Sequence, residues 1–204
     1  MKPILITYAT REGHTKRVAE YLAERIRSGA LPVTVLGVRE LQDRFSLNQY
    51  SAAVLAASVH VGKHEREAID FVKHHRADLD EMLTAFISVS LSRAGAQDER
   101  ASSESRAKAA TDVQKMTDAF LAETRWHPTL TLPVAGALMY RKYNFVLRLI
   151  MKQIARCAGA TTDTSRDHVF THWRDLDDLA TRLVDRLSVS LDAESRAVNA
   201  GQAS

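Results

Sequence analysis

The chain has 204 residues, of which 45% are hydrophobic and 26% charged, with a net charge of +3. That is the composition of a globular domain with a substantial core, and its positive balance is too mild to argue for nucleic acid. The single cysteine, Cys157, excludes an intrachain disulfide and suits a reducing compartment.

The elements follow in chain order. Pro3–Tyr8 reads as a buried strand, and Thr15–Ser28 as a helix with Val18, Leu22 and Ile26 on one face and Gly29 as its stop. Val33–Val38 is a second strand. Ala52–Ser58 is a third, apolar throughout, as expected where both faces are covered. Glu65–Leu79 is helical and Ala85–Ser90 is a fourth strand. A polar stretch, Ser92–Glu104, leads into a helix ending near Thr124, and Leu130–Leu138 is a fifth strand. Asn144–Cys157 is helical, Val169–His172 a short strand, and Arg174–Leu187 a last helix. The polar tail from residue 189 is expected to be flexible, leaving residues 1–188 as one domain. The apolar N-terminal stretch is too short for a signal-peptide core. The longest apolar-rich run, Leu130–Tyr140, falls short of a membrane span, so a cytoplasmic protein is expected.

Strands alternating with helices predict an α/β fold with a parallel sheet. Five strands fit the doubly wound order 2-1-3-4-5, in which ligands sit beyond the carboxyl ends of the central strands. The segment Thr10-Arg11-Glu12-Gly13-His14-Thr15 falls there, between a strand and a helix. Such a turn presents backbone amides and the positive end of a helix dipole to an anion. Thr10 and Thr15 add hydroxyls, and Gly13 permits close approach. Glu12 opposes an anion unless it faces solvent. A plain polar turn with Thr15 near the helix cap is the competing reading. One glycine is too few for a dinucleotide fingerprint, and no lysine follows Gly13 as a Walker A loop requires. No acidic pair ends the first strand, as a phosphoacceptor domain would need. The histidines lack metal-ligand spacing, and no metal is expected.

Tyr8-x-Thr10-x-x-Gly13-x-Thr15 followed by Ala19 resembles the FMN phosphate loop of flavodoxins. Further along stand Ala57–His64, Phe86–Leu91, Ala135-Gly136-Ala137-Leu138, Leu149-Ile150-Met151-Lys152, Thr162-Asp163-Thr164 and Thr171-His172-Trp173. This series resembles the flavodoxin-like protoporphyrinogen oxidases of bacteria, the menaquinone-dependent dehydrogenases of haem synthesis. The resemblance runs from about Ile4 to Leu187. It implies a flavodoxin-like fold whose fifth strand is split by a helical insert, FMN as cofactor, and oxidation of protoporphyrinogen IX with a quinone as acceptor.

The resemblance also implies residue roles. Thr10, Arg11, Glu12, Gly13, His14 and Thr15 would contact the phosphate and ribityl groups. Ser58, Val59, His60 and Gly62 would form a second flavin loop, and Ser88, Val89, Ser90, Leu91 and Ser92 a third. Asp163 and Thr164 would return to the cofactor. Where simple flavodoxins often stack an aromatic ring on the flavin, this loop offers His60 and Val61. No catalytic acid or base is assigned, because the flavin carries the chemistry.

Between Arg141 and Cys157 the chain has five basic residues and no acidic one, and Arg148, Lys152 and Arg156 fall at i, i+4, i+8. A basic amphipathic helix can lie on an anionic membrane surface, and an ordinary solvated stripe is the alternative. In the family context, Tyr140, Arg141, Tyr143, Arg148 and Lys152 would meet substrate or the membrane. Two other functions stay open: a flavodoxin-like quinone reductase or carrier with another donor, and a fold relative without FMN acting as a binding module.

Overall fold

The structure, a computed structural model, describes residues 1–42, 44–138 and 168–201. The expected insert helix, and with it Tyr140, Arg141, Tyr143, Arg148, Lys152, Asp163 and Thr164, lies outside the described residues.

The main sheet is parallel. Strand β1 (Ile4–Ala9) lies between β2 (Val33–Gly37) and β3 (Ala52–His60). Beyond β3, a two-residue strand β4 (Lys63–His64) folds back on it, and β5 (Leu83–Ser90) and β6 (Leu130–Ala135) follow. The order β2-β1-β3-β5-β6 is the expected doubly wound one once the β4 hairpin is set aside. The switch point falls between β1 and β3, whose pairing runs from Ile4↔Ala52 to Ala9↔Ala57. That pairing puts the carboxyl ends of both strands at one edge of the sheet.

Helices cover both faces. Helix α1 (His14–Ser28) buries Val18, Leu22, Ala23 and Ile26 against Ile4, Ile6, Val54 and Ile87. The last helix, running Trp173–Gly201, adds Leu176, Leu179, Ala180, Leu183 and Leu187 to the same cluster at the spacing of one helical face. On the opposite face, α2 (Arg66–Asp80) buries Ile69, Phe71 and Val72 beside Leu5, Leu55 and Phe86. Phe86 stacks on Phe120 at 4.3 Å, which brings in the long helix Ser103–Thr124. A short helix, Leu91–Gln97, precedes it. In chain order these three helices are α3 (Leu91–Gln97), α4 (Ser103–Thr124) and α5 (Trp173–Gly201).

Four features differ from the sequence expectation. The third strand runs two residues past Ser58 and turns into β4. The polar stretch after Ser92 contains α3, whose start is capped by Ser90 Oγ accepting from the Arg93 amide. The fifth strand breaks at Gly136. A short strand β7 (Ala137–Leu138) then pairs antiparallel with β8 (His168–Val169) in a separate two-stranded sheet. The last helix, expected to end at Leu187, runs on to Gly201, because Ala, Glu, Leu and Arg in "LDAESRAVNA" are strong helix formers. No helix among the described residues is long and apolar enough to cross a membrane.

Candidate functional site

The loop after β1, the turn after β3 and the end of β5, where the strand passes directly into α3, enclose one cleft of about 310 Å³. That size is at the lower end of small-molecule sites. The first loop contributes Thr10, Glu12, His14 and Thr15, and the second Ser58, Val59, His60, Val61 and Gly62. The third contributes Val89, Ser90, Leu91 and Ser92. Met116 from α4, with Gly136 and Ala137 at the break in the fifth strand, adds to the lining among the described residues.

Most residues singled out in the sequence therefore come together. Three do not line the cleft. Gly13 sits behind it as the N-cap of α1, Ser88 is buried in the sheet, and Arg11 lines the adjoining groove. Sequence reasoning missed Met116, Gly136 and Ala137 as lining residues, because nothing local in the sequence ties them to the loops. Val61, expected with His60 where simple flavodoxins place a stacking aromatic ring, lines the cleft.

The first loop is built for an anion. Gly13 adopts φ 90°, a left-handed conformation open to glycine at little cost, and its amide donates to Thr10 Oγ1 at 3.0 Å. No side chain caps α1, and its first turn carries no acidic residue. The first-turn amides thus stand at the positive end of a 15-residue helix with hydroxyl-bearing Thr10 and Thr15 beside them. A phosphate monoester fits that donor set.

The histidine of this loop is held firmly. His14 is 5% exposed, and its Nε2 meets Thr171 Oγ1 at 2.8 Å. Thr171 gives its one hydroxyl proton to the Ala135 carbonyl at 2.7 Å, so its oxygen accepts from His14. The imidazole is therefore protonated at Nε2 and bare at Nδ1, and Nδ1 is buried without a hydrogen-bond partner among the described residues. Burial, with the Arg17 charge as a smaller cause, lowers its pKa to about 4. The bond links the phosphate loop to the chain where it resumes after the insert.

The second loop is braced from below. Val59↔His64 and His60↔Lys63 pair across the hairpin, leaving Val61 and Gly62 as a two-residue turn. His64 is buried against the stacked pair Phe86 and Phe120, and its Nε2 lies 2.9 Å from Ser88 Oγ. Burial lowers the His64 pKa to about 4. The Glu65 amide donates to the Ser58 carbonyl at 3.1 Å, and the buried Glu65 carboxylate pairs with Arg11 at 3.2 Å. That ion pair locks the first and second loops together.

The turn itself is strained. Val61 has φ 49° and Gly62 φ 75°, the signs required by a type I′ turn. Glycine suits such a position, whereas a β-branched valine there costs about 1–3 kcal/mol.

The remaining lining is largely apolar, with Val59, Val89, Leu91 and Met116 in the cleft and Val61, 88% exposed, at its rim. At its back, a Cβ on Gly136 would come within 3.4 Å of the Ser90 backbone, where the Gly136 amide donates to the Ser90 carbonyl at 2.9 Å. An apolar ring system suits such a lining. Phosphate donors and an apolar lining in one cleft are what FMN requires. Among the described residues, no group of three or more His, Cys, Asp or Glu side chains could hold a metal ion.

Comparison with known proteins agrees with this geometry. Residues 5–165 match the Flavodoxin domain family. The chain is 28% identical over 179 residues to the protoporphyrinogen IX dehydrogenase (quinone) of Escherichia coli strain K12, covering 88% of this chain and 93% of that protein. It is 31% identical over 170 residues to the protein of the same name from Leishmania major, covering 83% of this chain and 69% of that one. Among solved structures, a short-chain flavodoxin associated with a bacterial microcompartment superimposes with a TM-score of 0.52 at 13% identity. It covers 92% of this chain and 99% of its own.

Proposed function

Because the chain belongs to the flavodoxin-domain family and FMN is its cofactor, we propose that this oxidoreductase converts protoporphyrinogen IX to protoporphyrin IX and passes the electrons to a quinone, menaquinone, in haem synthesis. What carries this reading is that the likeness to the E. coli dehydrogenase spans 93% of that protein's length, on a chain whose β1, β3 and β5 ends line one cleft.

In this reading the α1 amides, with Thr10 and Thr15, hold the phosphate, and Gly13 sets their direction. Arg11 acts through Glu65, fixing the first loop against the second, while Glu12 stands at the cleft wall. His14 keeps the phosphate loop in register with Thr171. Ser58, Val59, His60 and Gly62, with Val89, Ser90, Leu91 and Ser92, would hold the ring. Ser88 supports both segments by bonding His64. Asp163 and Thr164 would contact the cofactor as well. Bound FMN supplies a two-electron acceptor, and the protein supplies position and exclusion of water. Removing six electrons and six protons from the macrocycle takes three such oxidations. The basic segment bearing Tyr140, Arg141, Tyr143, Arg148 and Lys152 is suited to propionates or to an anionic membrane surface, where the quinone resides.

The FMN-loaded protein, given protoporphyrinogen and menaquinone under nitrogen, should form fluorescent porphyrin in proportion to enzyme. Porphyrin formation no faster than in the enzyme-free control would remove the proposal and leave the quinone-reductase reading.

A further inference from the structure

Val61 is costly to this protein twice over. It occupies the first position of a turn that favours asparagine, aspartate or glycine. Its side chain is also 88% exposed, so the valine buries nothing in return. A Cβ at the neighbouring Gly62 would meet nothing within 4 Å, so crowding does not force the local geometry. The turn is imposed from outside, by the β3–β4 pairing, the His64–Ser88 contact and the Arg11–Glu65 ion pair. A strained residue held by such bracing at the rim of a binding cleft is a feature to be explained by function.

The surroundings indicate the chemistry it meets. On one side the turn lines the flavin cleft. On the other, sharing His60 with that cleft, lies a groove carrying Arg11, Arg39, Lys63 and Arg66 against Glu65 and Glu67. Cations outnumber anions in its lining by two, and with Arg11 paired to Glu65, Arg39 to Glu67 and Arg66 to Asp70, Lys63 is the cation left outside these ion pairs. An apolar tip between a flavin cleft and a basic groove matches a ligand that is an apolar ring system edged by carboxylates. Protoporphyrinogen has that make-up, whereas a quinone has no carboxylate.

Resting on the function proposed above, we propose that Val61 is a substrate-contact residue, its isopropyl group held out by the turn to pack against the macrocycle of the porphyrinogen whose carboxylates face the basic groove. Val61 thereby selects the electron donor and leaves the quinone half-reaction untouched.

The test is Val61→Asn, which suits the turn and removes the apolar tip, beside Val61→Leu, which keeps it. For Val61→Asn we expect a higher thermal midpoint, an FMN dissociation constant within twofold of wild type, and a KM for protoporphyrinogen raised about tenfold. The KM for menaquinone should not change, and Val61→Leu should keep a donor KM near that of wild type. An unchanged donor KM in Val61→Asn would overturn the inference. So would a rise in the quinone KM, or a loss of FMN affinity, which would place Val61 on the flavin. Wild type run in parallel separates the two ideas. If it does not oxidise protoporphyrinogen, the function reading falls; if it does and Val61→Asn matches it, only the role of Val61 falls.

Discussion

Replacing Gly13 with valine is expected to weaken FMN binding on the order of a hundredfold while leaving the fold intact. Gly13 stands at φ 90°, where a β-branched residue costs at least about 1–2 kcal/mol. In the free protein the variant turn relieves that cost by moving to negative φ. The relaxation swings the first amides of α1 away from the phosphate position. Binding then has to restore the strained turn, and it forfeits part of the helix-terminal interaction if it does not. Together these come to about 3 kcal/mol, or two decades in dissociation constant. Gly13→Ala, less crowded at the same angle, should fall between the variant and wild type. Fluorescence titration of the apoprotein with FMN reads the effect, and thermal melting of the same apoproteins should differ by only a few degrees. Equal FMN affinity in Gly13→Val would mean that the phosphate is not held at this turn.

Acid is expected to destabilise the apoprotein steeply between about pH 6.5 and pH 4. His14 and His64 are both buried, with pKa values lowered to about 4 from an ordinary 6.5. Across that window the unfolded chain binds protons that the folded chain refuses, so stability rises with pH. Their contribution is fully present above about pH 6.5, is lost as pH falls toward 4, and is gone below. The shifts correspond to about 2 kcal/mol per histidine by pH 4.5, an order-of-magnitude value. Asp98 and Glu123, whose pKa values are lowered by their bonds to Arg100 and Lys73, act in the same direction at the acid end. Urea denaturation of the apoprotein at a series of pH values should show the slope. His64→Gln and His14→Gln should each remove part of it, whatever they do to stability at pH 7.5. A slope unchanged in both variants would mean that neither imidazole is buried and neutral.

The sheet order was legible because β1, β3 and β5 are apolar on both faces and alternate with helical segments. The Thr10–Thr15 turn was legible because its amides, hydroxyls and glycine are contiguous. The second loop was less so. Its hairpin lacks an Asn-Gly signal, and Val61-Gly62 reads as strand or loop until the His60↔Lys63 pairing is seen. Helix α3 was hidden by Gly95 and by its seven-residue length, too short for an amphipathic pattern to stand out. The cleft wall formed by Met116 and Gly136, and the bond from His14 to Thr171 across 157 residues of sequence, arise from packing between distant segments. No local pattern encodes them. The resemblance supplied what local physics left open, because hydroxyls and amides at a helix start specify an anion, while flavodoxin-like segments along the chain specify a flavin.

The proposed activity requires a two-electron oxidation of protoporphyrinogen by the flavin in this cleft. The most direct measurement mixes the FMN-loaded protein with protoporphyrinogen in the absence of oxygen and quinone and follows the visible flavin absorbance. Loss of the oxidised-flavin bands with matching formation of oxidised tetrapyrrole is the result predicted. Bands that stay at full height, in protein that dithionite readily bleaches, would contradict it.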